Sequence, residues 1–253
     1  MELSSLNLTN NPCERIFHVL TNFRCLSCFD AVVDVTKFSA KPDGESNSAM
    51  AFIQACNAAC KSSTGPSNLV IPPGRFMVGK TIFKGPYSSN PVTVEIQETI
   101  LANSNMSEFG GRACLLFQDV DGLTVLGGGI FDGQGQSTWL YSNYRSPDNC
   151  NSPLSISIKV QKVTNAVIWD TNLVNSKGFH MTITSCSNFV VERLNITASE
   201  NSLNPDEKHI SCSDQVRVSN SIIRTSDDCI SIGEGLSNVN ISGITCGPGH
   251  GIR

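Results

Sequence analysis

Asn165-Ala-Val-Ile-Trp-Asp-Thr-Asn-Leu173 is a short apolar, partly β-branched run framed by polar residues, and the chain writes it three more times. The copies are Asn188-Phe-Val-Val-Glu-Arg-Leu-Asn-Ile196, Gln215-Val-Arg-Val-Ser-Asn-Ser-Ile-Ile223 and Asn238-Val-Asn-Ile-Ser-Gly-Ile-Thr-Cys246. Ile168, Val191, Val218 and Ile241 hold the same place in each, 23, 27 and 23 residues apart. Helix-free units repeating at roughly 20–50 residues are the signature of a solenoid. One coil cannot bury its own apolar side chains, whereas neighbours above and below can. The spacing points to the coils of a parallel β-helix. An antiparallel sandwich with regular strand spacing is the alternative it leaves open.

Upstream, order begins at Val32-Val33-Asp34-Val35. Met50, Ile53, Ala55, Cys56, Ala59 and Cys60 recur at helical spacing, so a helix is predicted over 48–60. Leu69-Val70-Ile71 reads as a strand that Pro72-Pro73-Gly74 turns, and a strand pair follows in 76–83. From about residue 92, short β-branched runs alternate with Gly, Asn, Ser and Asp clusters. The expected organisation is an irregular leader over 1–31 and one domain over 32–253, all-β apart from the short helix.

Composition agrees with many short strands and polar turns. Of the 253 residues, 40% are hydrophobic and only 16% charged, against about 25% charged in an average globular protein. A net charge of −4 argues against a nucleic-acid partner. No run of about 18 apolar residues exists, so no membrane-spanning helix is expected.

Eleven cysteines are many for a cytosolic protein, and the number is odd, leaving at least one without an internal partner. Cys25 and Cys28 form a C-x-x-C unit with no second pair to complete a zinc site. Disulfides formed in an oxidising compartment are the better reading. Asn7, Asn105, Asn195 and Asn240 each open an N-x-S/T acceptor site, compatible with secretion. Met1 to Asn11 is polar, and Ile16 to Cys28 is interrupted by His18, Thr21, Asn22 and Arg24, so no signal peptide is recognised.

Three polar clusters fall beside the repeats: Asn204-Pro-Asp-Glu-Lys-His209, Ser226-Asp-Asp-Cys229 and Cys246-Gly-Pro-Gly-His-Gly251. Alone, each is an ordinary turn. Asp206 precedes Asp227 by 21 residues, however, and Asp228 precedes His250 by 22, each close to one coil. Stacked coils would set Asp206, Asp227, Asp228 and His250 side by side. Cleaving a glycosidic bond takes a proton donor to the leaving oxygen and a base for water. Crowded carboxylates keep one of their number protonated while others stay ionised.

At these residues the sequence resembles the polygalacturonase family of glycoside hydrolases. The resemblance rests on Ser226-Asp-Asp-Cys-Ile-Ser-Ile232 and Cys246-Gly-Pro-Gly-His-Gly-Ile252, with Ala40-Lys-Pro-Asp-Gly44 and Gly127-Gly-Gly-Ile-Phe-Asp-Gly-Gln-Gly135 upstream. The stretch from Asn149 through Ser176 to His180 is also similar, and the phrasing is most like the plant exopolygalacturonase branch. The resemblance implies a right-handed parallel β-helix of the pectin-lyase type that hydrolyses α-1,4-galacturonan with inversion and without a metal or other cofactor. It implies Asp227 as general acid, Asp206 and Asp228 as holders and activators of the attacking water, and His250 as support for acid and sugar. Asn204 and Gly249 would help to bind substrate, and Cys229 would be joined to Cys246. The partner is then pectin or polygalacturonate, and the setting extracellular, with a monomeric protein.

The sequence departs from the family pattern at Pro205, Glu207 and Lys208, where the family carries Thr, Gly and Ile. If Ile210 points inward, strand alternation turns Lys208 inward too, next to a partner acid or at the cost of displacing the strand. The sequence given stops at Arg253, before the family's R-I-K motif. A C-terminally truncated domain is therefore expected, and with it an inactive relative as an alternative function. A rhamnogalacturonan or xylogalacturonan hydrolase is a further alternative.

Overall fold

The computed structural model describes residues 29–61, 64–105, 113–139, 155–199 and 210–253. Its strands assemble into two eight-stranded sheets, a five-stranded one and a two-stranded one, and neighbouring strands in every sheet are parallel. The first sheet runs from Ala31–Asp34 to Asn240–Ser242 and the second from Asp43–Asn47 to Thr245–Cys246. The third contains Thr81–Lys84, Leu115–Gln118, Ile158–Gln161, Met181–Thr184 and Ile210–Ser211. The chain visits the sheets in rotation, and each visit pairs with the strand one coil earlier. This is a right-handed parallel β-helix, and the sandwich alternative is excluded.

The repeat read in the sequence is the register of the first sheet. Ile168 pairs with Val191, Val191 with Val218 and Val218 with Ile241. Two residues earlier on the same inward face, Ala166, Phe189 and Val216 are stacked and buried. These stacked layers form one continuous apolar interior, extended toward the N-terminus by Phe83 against Phe117, with ring centroids 5.2 Å apart.

Tight corners between sheets require left-handed backbone, which Asn adopts more readily than most residues. Asn165, Asn188, Gln215 and Asn238 occupy one such corner at φ 54, 49, 53 and 53°. The asparagines also bond along the axis: Asn188 Nδ2 donates to Asn165 Oδ1 at 2.7 Å, and Asn165 Nδ2 to Asp121 Oδ1 at 2.7 Å. On the second sheet Asn195 Nδ2 donates to Asn172 Oδ1, so this N-x-T asparagine is engaged in a ladder, whereas Asn240 is exposed.

The predicted helix is Ala49–Lys61, here α1. Asn47 Oδ1 accepts from Ala49 N at 3.1 Å and holds its first turn. Ala51, Phe52, Ala55, Cys56, Ala59 and Cys60 form its buried face, which packs against Ala31–Asp34, Ser67–Ile71 and Thr81–Lys84 and so covers the first coil. The predicted strand pair over 76–83 is Arg75–Val78 and Thr81–Lys84.

Among the described residues the cysteines divide between one disulfide, Cys229–Cys246, and buried or exposed side chains outside it. Cys56, Cys60 and Cys186 are unbridged thiols in the interior, Cys114 is buried there as well, and Cys212 is unbridged and exposed. The buried four behave as small apolar side chains. Cys56 and Cys60 lie one helical turn apart with their sulfurs 3.3 Å from each other. The leader up to residue 28, the C-x-x-C unit and the segment holding Asn204, Asp206, Glu207 and Lys208 lie outside the described residues.

Candidate active site

The strand Ile222–Arg224 leaves the second sheet, and Thr225 and Ser226 carry the chain to Asp227 and to the short strand Asp228–Ile230. Cys229 and Ile230 are buried in the core, which fixes the strand and holds the two aspartates at the rim of the interior. One coil later Gly251–Ile252 pairs parallel with it, Asp228 opposite Gly251 and Ile230 opposite Ile252. The residue before Gly251 is His250. Asp228 pairs with Gly251, 23 residues on, so the gap of 22 read between Asp228 and His250 lies one residue from the pairing register.

Further ties beside the strand pairing hold these coils together. Cys229 and Cys246 form a disulfide across Cα atoms 6.0 Å apart. His250 N donates to the Asp227 carbonyl at 3.3 Å. Gly249 lies so close to the backbone of Asp227 that a Cβ on it would collide with the Asp227 carbonyl oxygen. The missing side chain lets the loop approach the Asp227 backbone.

The geometry separates the two acids. Asp227 Oδ1 accepts from the backbone N–H of Asp228 at 2.7 Å, which fixes the orientation of that side chain. Asp228 is 7% exposed, and its Oδ1 is buried with no hydrogen-bond partner among the described residues. Its other oxygen is 3.7 Å from Arg253 Nη1. His250 Nδ1 faces both acids, 3.5 Å from Asp227 Oδ1 and 3.8 Å from Asp228 Oδ1. Met181, Ile183, Ile223 and Ile230, with Asp228 itself, border a cavity of about 60 Å³, so the carboxylate is backed by hydrocarbon.

Asp227, Asp228 and His250 each present one ligand atom, all within 4.8 Å of one another, a set that could hold a cation. The arrangement also offers what hydrolysis needs: a fixed carboxyl, a neighbouring carboxylate with a free buried oxygen, and an exposed imidazole between them. The structure brings together Asp227, Asp228, His250 and Gly249, while Asp206 and Asn204 lie outside the described residues. Arg253 beside Asp228 was missed in the sequence. The signal for it was the pairing register, which sets residue 253 next to Ile230, its N–H bonding the Ile230 carbonyl at 3.0 Å.

Comparison with known proteins places this geometry. Residues 60–253 match the model of Glycosyl hydrolases family 28. An exopolygalacturonase of Oenothera organensis is 39% identical over 206 residues, 81% of this chain and 56% of that protein. A polygalacturonase of Gossypium barbadense is 40% identical over 223 residues, 88% of this chain and 54% of that protein. The chain thus spans about half the length of these relatives. Among solved structures, the polygalacturonase from Erwinia carotovora ssp. carotovora superposes with TM-score 0.71 at 18% identity, covering 88% of this chain and 64% of that one. The endo-xylogalacturonan hydrolase from Aspergillus tubingensis gives 0.74 at 20%, covering 88% and 59%. These two similarities concern the fold. The family match covers more than three quarters of the chain and includes the Asp227–Asp228 and His250 segments, and the chain belongs to glycosyl hydrolases family 28.

Proposed function

We propose that the protein hydrolyses α-1,4-galacturonosyl linkages of pectin or polygalacturonate by an inverting acid/base mechanism. The observation that carries this reading is the orphaned Oδ1 of buried Asp228, 3.8 Å from His250 Nδ1 and adjacent to the fixed carboxyl of Asp227. A buried carboxylate oxygen without a donor is costly, and such atoms concentrate where something else is to be bound. Here that partner is the attacking water.

In this reading Asp227 protonates the leaving glycosidic oxygen through Oδ2. Asp228, with Asp206, orients and deprotonates the water, which attacks the anomeric carbon from the opposite face. His250 donates toward the acids and toward a sugar hydroxyl as charge shifts between them. Gly249 sets the distance between the loop and Asp227, and Asn204 helps to seat the sugar. The 39–40% identity to proteins named polygalacturonase and exopolygalacturonase supports the substrate class. An extracellular pectic matrix and a monomeric protein complete the reading, and the Cys229–Cys246 disulfide suits an oxidising compartment.

Release of reducing ends from polygalacturonate tests the activity, and NMR of the first-formed product anomer tests inversion. A β-anomer appearing first supports the mechanism. An α-anomer would replace it by a double displacement.

A further inference from the structure

We infer that Lys159 and Thr182 form a second binding subsite, for a uronate carboxylate of the polysaccharide chain, on the outer face of the third sheet; the inference rests on the polygalacturonate reading above. In Ile158–Gln161 the residues alternate buried and half-buried, so Ile158 and Val160 point into the core and Lys159 points out. In Met181–Thr184 the core takes Met181 and Ile183, which turns Thr182 outward. Lys159 and Thr182 are direct register partners on adjacent strands, about 4.8 Å apart.

Two observations make this pair unlike other outward positions. Thr182 is 5% exposed although it faces out, and its Oγ1 is buried with no hydrogen-bond partner among the described residues. Lys159 is half-buried and makes no ion pair among the described residues. A hydroxyl without a partner beside an unpaired ammonium is an arrangement that one carboxylate satisfies at both oxygens.

The charge of the surrounding face fits the same ligand. The described outward positions of the third-sheet strands include Lys84 and Lys159 and no carboxylate. The outer face of the first sheet, by contrast, carries Glu95 and Glu192. The catalytic acids lie further along the same side. From Ile158–Gln161 the coils step through Met181–Thr184 and Ile210–Ser211 to the coil of Asp228–Ile230, which continues the sheet through the Ile210–Ile232 bridge. Three steps of about 4.8 Å make roughly 14 Å along the axis, a span that a short oligosaccharide bridges. A polyanion held at Lys159 would lie along the helix axis and reach Asp227 and Asp228 with its other end. A site with several acids gains from such a distant cation, because it attracts the substrate without neutralising the catalytic groups.

The test is binding of a linear oligogalacturonate and of its methyl ester to the full chain by titration calorimetry, which needs no turnover. K159M, K159Q and T182V are compared with the unsubstituted protein, with melting temperature as the control for folding. The expected result is about a tenfold loss of affinity for the free acid in K159M and K159Q, a smaller loss in T182V, no change for the ester, and recovery in K159R. Unchanged affinity in both Lys159 variants, or equal losses for acid and ester, would overturn the subsite. If the protein binds the oligogalacturonate as proposed but releases no reducing ends, the hydrolysis reading falls and the subsite stands. A protein that binds neither ligand overturns both.

Discussion

Gly249 stands against the backbone of Asp227 with no room between them for even a methyl group. The contact ties the loop before His250 to the residue proposed as the acid, so the backbone of one coil sets the side-chain geometry of the next. Gly249→Ala must push the loop away or strain it. We expect a loss of about 1–3 kcal/mol in stability, typical of overpacking, and a loss of at least about 100-fold in kcat from the displaced imidazole. Denaturant melts and steady-state kinetics read the two. A variant with both values unchanged would show that the approach is not required.

The disulfide between Cys229 and Cys246 closes a loop of 17 residues around the site. In the chain-entropy description such a loop contributes about 3 kcal/mol. The double variant C229A/C246A should melt at lower temperature, and its activity should fall more steeply on warming than that of the parent. Equal melting temperatures in the two proteins would remove the disulfide from the account of stability.

Lys177 is 2% exposed and donates from Nζ to the Gly133 carbonyl at 2.6 Å. Burial pushes its amine down to about 8 from the usual 10.5. The folded state therefore gives up this proton at lower pH than the unfolded state does. Below about pH 8 both states are protonated and the buried charge costs stability. Between about 8 and 10.5 the unfolded chain binds the extra proton, so this group's contribution rises with pH. Relative to Lys177→Met, the parent should gain on the order of 2 kcal/mol between pH 7 and about 9.5. Taking the difference between parent and variant removes other groups, such as the thiol of Cys186, which burial pushes up. A difference that stays flat across this range would contradict the assignment.

The fold was legible because its stabilising unit is written in sequence. Ile168, Val191, Val218 and Ile241 recur at coil spacing because each pairs with the next. The earlier coils were hidden by their loops: Leu115 and Ile158 are register partners although 43 residues separate them. Asp227, Asp228 and His250 were legible for the same reason as the repeat, their spacing being one coil. The fate of the cysteines was not. Cys56, Cys60, Cys114 and Cys186 fill interior positions that Val or Ala could fill, and composition cannot tell a packed thiol from a bonded one. Lys159 and Thr182 escaped notice because their significance needs two facts absent from the sequence: which strands are adjacent, and which hydroxyl lacks a partner.

The central claim is that the buried carboxylate of Asp228 activates water for hydrolysis of polygalacturonate. Asp228→Asn keeps the shape and removes the charge. The decisive measurement is the rate of reducing-end release from polygalacturonate by the unsubstituted protein and by this variant, at equal folded fraction judged by melting temperature. The account predicts measurable release by the unsubstituted protein and a fall of about 100- to 10,000-fold in D228N, the range general-base catalysis contributes. No release by the unsubstituted protein, or comparable rates in the two, would contradict it.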